Sequence, residues 1–178
     1  AAPGGKATGM AASGATVIAA DLVAHRVDLV VENAARLGSD VHAVRADATS
    51  PPLRNRSADR VLVDAPCSGL GVMHRRPELR WRVAPEDPAN LAKLQRRLLE
   101  AAAPLVKPGG TLTYSVCTLT RAESVDVVEA FLDDHPEFGA DAPLEGPWES
   151  DGPVSILLPQ REGTDGMALA TLHRAPRH

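Results

Sequence analysis

A chain of 178 residues with 44% hydrophobic and 24% charged side chains has the size and make-up of one globular domain. Its net charge of −4 excludes nucleic-acid binding by bulk charge, so any such contact needs a local basic surface or a partner domain. Two cysteines, Cys67 and Cys117, exclude a disulfide framework, and no apolar run reaches the ~18 residues of a membrane helix, so a cytoplasmic setting is expected.

Ala1-Ala2-Pro3-Gly4-Gly5-Lys6 is already a loop, with no strand before it, and residues 7–13 read as a short helix. Thr16 to Ala20 is an apolar strand ending in Asp21. Residues 24–37 repeat apolar side chains at helical spacing (Val27, Val30, Val31, Ala34, Leu37), and Gly38 is the expected stop. Val41 to Ala46 is a second strand ending in Asp47, and Arg60 to Val63 a third ending in Asp64. Residues 68–85 lack periodicity and read as a long loop. A helix over 86–104, a turn at Pro108-Gly109-Gly110, a strand from Thr111 to Val116 and a helix over 121–133 follow. Residues 135–153 read as irregular, and Val154–Leu158 with Met167–Leu172 as a closing strand pair. This alternation predicts an α/β layered fold with a mainly parallel sheet, whose ligands bind beyond the carboxyl ends of the strands.

Asp21, Asp47, Asp64 and Cys117 all stand at such ends. Two glycines before a helix let backbone approach a ligand closely, although Pro3-Gly4-Gly5-Lys6 alone is equally a plain turn. An acidic residue after such a loop suits two ribose hydroxyls, and a second at the next strand end suits an adenine amine. Taken singly, each is a turn or cap residue. Cys67, three residues beyond Asp64, is on its own more simply a small buried hydrophobe. Thr120 with Glu123 fits a capping box, which would put Cys117 just before a helix start, where the dipole favours a thiolate. The segment from His74 to Arg82 holds Arg75, Arg76, Arg80, Arg82 and Trp81 against one acidic residue, Glu78. Arginine beside an aromatic suits single-stranded RNA. The histidines and cysteines show no metal-ligand spacing, and Ser68 lies in no nucleophile elbow, so a metal centre and a hydrolase are not expected.

AAPGGK at 1–6, the acidic strand ends at 19–21 and 45–47, DAPCSGLG at 64–71 and YSVCT at 114–118 together resemble the bacterial RsmB (Sun) family. That family lies within the wider Nop2/NSUN group of RNA 5-methylcytosine methyltransferases; RRPELRW at 75–81 and GTDGM at 163–167 share the resemblance. The resemblance implies a Rossmann-like class I methyltransferase sheet, mostly parallel with a C-terminal antiparallel pair. It implies S-adenosylmethionine held by Ala1, Ala2, Pro3, Gly4, Gly5, Lys6, Asp21, Asp47 and Asp64. It implies Cys117 as nucleophile and Cys67 in product release, with Asp64 and Lys6 near a target cytosine. The implied substrate is small-subunit ribosomal RNA, with tRNA and a non-catalytic RNA-binding module as rival readings. The chain starts inside the first motif, so the expectation is a fragment lacking the first strand and an N-terminal RNA-binding domain, unstable or inactive by itself.

Overall fold

The computed structural model describes residues 1–176, which divide into two compact units, Ala1–Pro52 and Leu53 onward. In the first unit, helix α1 (Gly5–Ala12) precedes strand β1 (Val17–Asp21), helix α2 (Ala24–Leu37) and strand β2 (Val41–Arg45). β1 and β2 pair in parallel, from Val17 opposite Val41 to Asp21 opposite Arg45. A small core of Ala7, Val17, Ala19 and Val30 sits where α1 and α2 cover one face of this pair. Gly38 ends α2 in the left-handed conformation, as expected of a glycine there.

The second unit opens with β3 (Ala58–Asp64), then a one-turn 3-10 segment at Leu70–Val72, the short helix α3 (Leu79–Arg82) and helix α4 (Asp87–Ala102). Strand β4 (Val106–Val116), helix α5 (Val125–Asp134), strands β5 (Phe138–Ala140), β6 (Trp148–Asp151) and β7 (Val154–Leu157), the short helix α6 (Pro159–Glu162) and strand β8 (Met167–Arg174) complete it. The strands run β3-β4-β8-β7-β6 across the sheet, with β5 also paired to β8. β3 and β4 are parallel; every pair involving β8 or β6 is antiparallel. Alternate residues of β4 (Leu112, Tyr114, Val116) and β8 (Ala168, Ala170, Leu172) are buried, and they meet Leu99 of α4 and Val125, Val128 and Phe131 of α5 in one core. No helix among the described residues is long and apolar enough to cross a membrane.

The expected α/β class and the C-terminal antiparallel pair are both present. Four local expectations change. Residues 68–85 are not all loop, because they hold the 3-10 turn Leu70–Val72 and helix α3. Residues 135–153 are not wholly irregular, because β5 pairs with β8 and β6 forms a hairpin with β7. The chain is already in strand at Val106, so the glycine turn lies within β4 and accompanies a register shift between Ala58 and Arg60. The helix expected from residue 121 starts at Val125, after a 3-10 turn over Arg121–Glu123.

Candidate active site

In the first unit the loop Ala1–Lys6 is fastened to the end of β1. Asp21 Oδ2 accepts hydrogen bonds from the Ala1 amino group (2.9 Å) and the Ala2 N–H (3.3 Å), and Oδ1 accepts one from the Val23 N–H (3.2 Å). Burial alone would raise the Asp21 carboxyl, and the Val23 and Ala2 N–H donors counter it. Asn33 of α2 donates to the Pro3 carbonyl at 2.9 Å. Gly4 has φ 106°, a backbone conformation that side chains disfavour, and it lies in ordinary contact with Val30 of α2. Gly5 faces open space, and Lys6 is exposed. Asp47, also exposed, accepts from the Thr49 N–H and hydroxyl at 2.8 and 2.7 Å, an Asx turn.

In the second unit, parallel pairing sets Asp64 opposite Ser115, so the segments that follow β3 and β4 leave the sheet side by side. The consequence is the closest approach of the two thiols: Cys67 Sγ and Cys117 Sγ lie 3.2 Å apart, fifty positions apart in sequence. Both are half-buried and neither is sealed in the core. The neighbouring Cys117 sulfur, then burial, push the Cys67 thiol strongly up, so Cys67 keeps its proton. Asp64 is exposed at the same strand end.

The expected helix start beside Cys117 is absent. Val125, the first residue of α5, comes after Thr118–Ser124, and the dipole effect fades within one turn, so it cannot act on Cys117. The capping box is not formed either, because Glu123 turns inward. Fully buried, its Oε1 accepts from the Ser68 N–H (2.7 Å) and Gln95 Nε2 (3.2 Å). Its Oε2 accepts from the hydroxyls of Ser68 (2.5 Å), Thr120 (2.9 Å) and Thr118 (3.1 Å). Gln95, also fully buried, donates in addition to the Pro66 carbonyl at 2.9 Å. Sequence reasoning missed both residues. The available signal was Gln95 itself, a polar residue on the stripe Ala92, Leu99, Ala102 of α4 that otherwise faces the core.

Three segments cross at Gly71, whose N–H donates to the Cys117 carbonyl (3.0 Å) and whose carbonyl accepts from the Gly166 N–H (2.8 Å). Asp165, next to Gly166, is ion-paired to Arg75. The arginine-rich segment is therefore not uniform. Arg75 and Arg76 are engaged with Asp165 and Glu78, whereas Arg80 and Arg82 are exposed and enter no ion pair among the described residues. Trp81 between them is 91% exposed. An open groove of about 380 Å³ lies alongside, lined by Leu70, Met73, Leu79, Arg80, Val83 and Pro88; neither cysteine lines it.

Alternating strands and helices, acidic strand ends and a glycine loop opening a helix define the class as a Rossmann-like class I methyltransferase fold. NSun6 from Pyrococcus horikoshii, solved with SFG, superposes with a TM-score of 0.86 at 31% identity, over 99% of this chain and 47% of that one. The chain belongs to the family described as 16S rRNA methyltransferase RsmB/F, which matches residues 1–173. It is 42% identical over 187 residues to the probable ribosomal RNA small subunit methyltransferase B of Bacillus subtilis, covering 98% of this chain. It is 45% identical over 175 residues to the Thermus thermophilus ribosomal RNA small subunit methyltransferase B, covering 95% of this chain. The chain spans 42% of the length of each of these two relatives.

Proposed function

We propose that this chain carries the chemistry of an S-adenosylmethionine-dependent methyltransferase that modifies carbon 5 of cytosine in RNA, with small-subunit ribosomal RNA as substrate. The observation that carries the reading is the pair of half-buried sulfurs 3.2 Å apart at adjoining strand ends. A structural pair of buried cysteines needs no such approach, and a small-molecule methyl transfer needs no second thiol. The names of the curated relatives supply the ribosomal substrate, and the SFG-bound NSun6 structure supports the cofactor.

The first unit fits a nucleoside-bearing cofactor. Gly5 leaves the approach to α1 open, the first turn of α1 offers N–H donors, and Asp21 and Asp47 bring carboxylates to the ends of β1 and beyond β2. Ala1 to Lys6 would hold the amino-acid portion, Asp21 the ribose and Asp47 the base. S-adenosylmethionine supplies an electrophilic methyl group when bound.

Carbon 5 of cytosine is too weak a nucleophile to take that methyl unaided. The Cys117 thiolate forms a bond to carbon 6, and the electrons of the 5,6 double bond move into the ring toward the N3 side. Carbon 5 thereby gains enamine character. After methylation a solvent water takes the carbon 5 proton, the C–H electron pair restores the double bond, and the Cys117 thiolate is expelled. Cys67, which retains its own proton, serves that release; Asp64 orients the base through N3 and the exocyclic amine, with Lys6 assigned to the same target by the family resemblance. The target base must be unstacked to react, and Arg80, Arg82 and Trp81 serve the flanking RNA, while Arg75 and Arg76, paired with Asp165 and Glu78, hold the segment that presents them.

The test uses the intact protein with S-adenosylmethionine and RNA carrying 5-fluorocytosine, which blocks proton removal. An adduct that survives denaturation is expected with 16S rRNA and absent with tRNA, and it is lost in Cys117→Ala. With ordinary RNA, Cys67→Ala is expected to accumulate the adduct. Normal turnover by Cys117→Ala would overturn the reading.

A further inference from the structure

We propose that Glu123 is the positioning residue for the two thiols: one buried carboxylate that ties together the residue following each cysteine and so sets their separation. The inference rests on the reading of Cys117 and Cys67 as reacting groups. Ser68 follows Cys67, and both its N–H and its hydroxyl donate to Glu123; Thr118 follows Cys117, and its hydroxyl donates to the same carboxylate. Thr120 and Gln95 complete the set of five donors, and the Tyr114 hydroxyl, buried in the core, donates at 2.7 Å to the Glu123 carbonyl. Both the side chain and the backbone of Glu123 are therefore fixed.

The need for such a device follows from the topology. Sheet hydrogen bonds hold Asp64 against Ser115, but both cysteines lie beyond the last paired residues. Beyond the Glu123 set, the two segments are joined through the Ala65 N–H to the Ser115 carbonyl, the Gly71 N–H to the Cys117 carbonyl, a Ser68–Thr118 hydroxyl contact of 3.0 Å and the Cys117 backbone at the Cys67 sulfur. Enclosing a carboxylate is unfavourable unless donors surround it, and an apolar side chain of similar volume fills space at less cost. A filler role does not explain five donors arranged around an acid; holding two loops in one register does. The contribution is geometric, because negative charge near a thiol opposes its ionisation.

The experiment reads sulfur separation without any substrate. The intact protein is treated with diamide, which takes two electrons and two protons from the dithiol and becomes the hydrazine, and the Cys67–Cys117 linked peptide is followed by mass spectrometry. Glu123→Gln keeps the shape and can present its carbonyl oxygen to the Ser68 N–H, so it is the variant of choice; Thr118→Val removes one tether if Glu123→Gln does not fold. Cross-linking is expected to slow about tenfold, and kcat for methylation to fall ~10- to 100-fold with KM for RNA little changed, the scale of a misplaced reacting group. RNA adduct should accumulate as in Cys67→Ala. An unchanged cross-linking rate in the folded variant, read well below its melt, overturns the proposal and leaves Glu123 a structural residue. Slowed cross-linking in a protein whose wild type forms no adduct with 5-fluorocytosine RNA upholds the positioning role and overturns the nucleophile reading instead.

Discussion

At the scale of single residues, the site depends on close backbone approach as much as on reactive side chains. A Cβ on Gly71 would overlap the Gly166 carbonyl and stand 2.9 Å from the Cys117 carbonyl, and all of these are backbone atoms that cannot swing aside. Gly71→Ala should therefore part the DAPCSGLG loop from both the Cys117 turn and the segment around Gly166. The expected cost is about 1–3 kcal/mol, the usual range for overpacking. It should appear as a lower urea midpoint, with methylation lost more than stability. Wild-type stability in this variant would show that the three segments are not locked there. Gly139→Ala is the matching control, since its Cβ meets nothing within 4 Å.

At the scale of elements, legibility divided along the kind of interaction that decides each boundary. The helix ending at Gly38, the strands ending in Asp21 and Asp64, and the strand running into Cys117 follow from apolar spacing and turn residues, and they place the two thiols at neighbouring sheet ends. The late start of α5 was not legible, because Thr120 and Glu123 satisfy a capping pattern and a buried network equally well; only the incoming Ser68 and Gln95 decide between them. β5 and β6 were hidden for a similar reason, since short strands in a Pro/Gly-rich stretch gain their identity from β8 and β7. The link from β4 to the turn before α5 passes through Tyr114, whose phenol burial pushes strongly up and whose hydroxyl meets the Glu123 carbonyl. Tyr114→Phe should leave that carbonyl without its donor and cost about 1–3 kcal/mol, with the urea slope unchanged. A larger loss of cross-linking rate than of stability would place Tyr114 among the residues that position the thiols.

At the scale of the whole chain, a net charge of −4 sets the terms on which RNA can bind. In the proposed function bulk attraction by this chain is excluded, so its share of the affinity comes from the cations that can meet phosphate. Arg75 already neutralises Asp165 and braces the loop next to Gly166, and Arg76 is paired with Glu78. Arg80 and Arg82 flank the exposed ring of Trp81, a spacing that lets phosphates run along the arginines while a base stacks on the indole. Each single-strand phosphate contact contributes ~0.7 to the slope of log affinity against log salt. Removing Arg80 and Arg82 together should therefore flatten that slope by about 1.4 for RNA bound to the intact protein across a salt titration. Trp81→Ala should instead weaken binding by ~1–3 kcal/mol with the slope unchanged, because stacking releases no counterions. Arg75→Ala should change the slope less than the loss of Arg80 and Arg82, and stability most, since its charge is already spent on Asp165. Equal slopes for all three variants would mean that the arginine segment is an ordinary solvated surface and that RNA is gripped elsewhere.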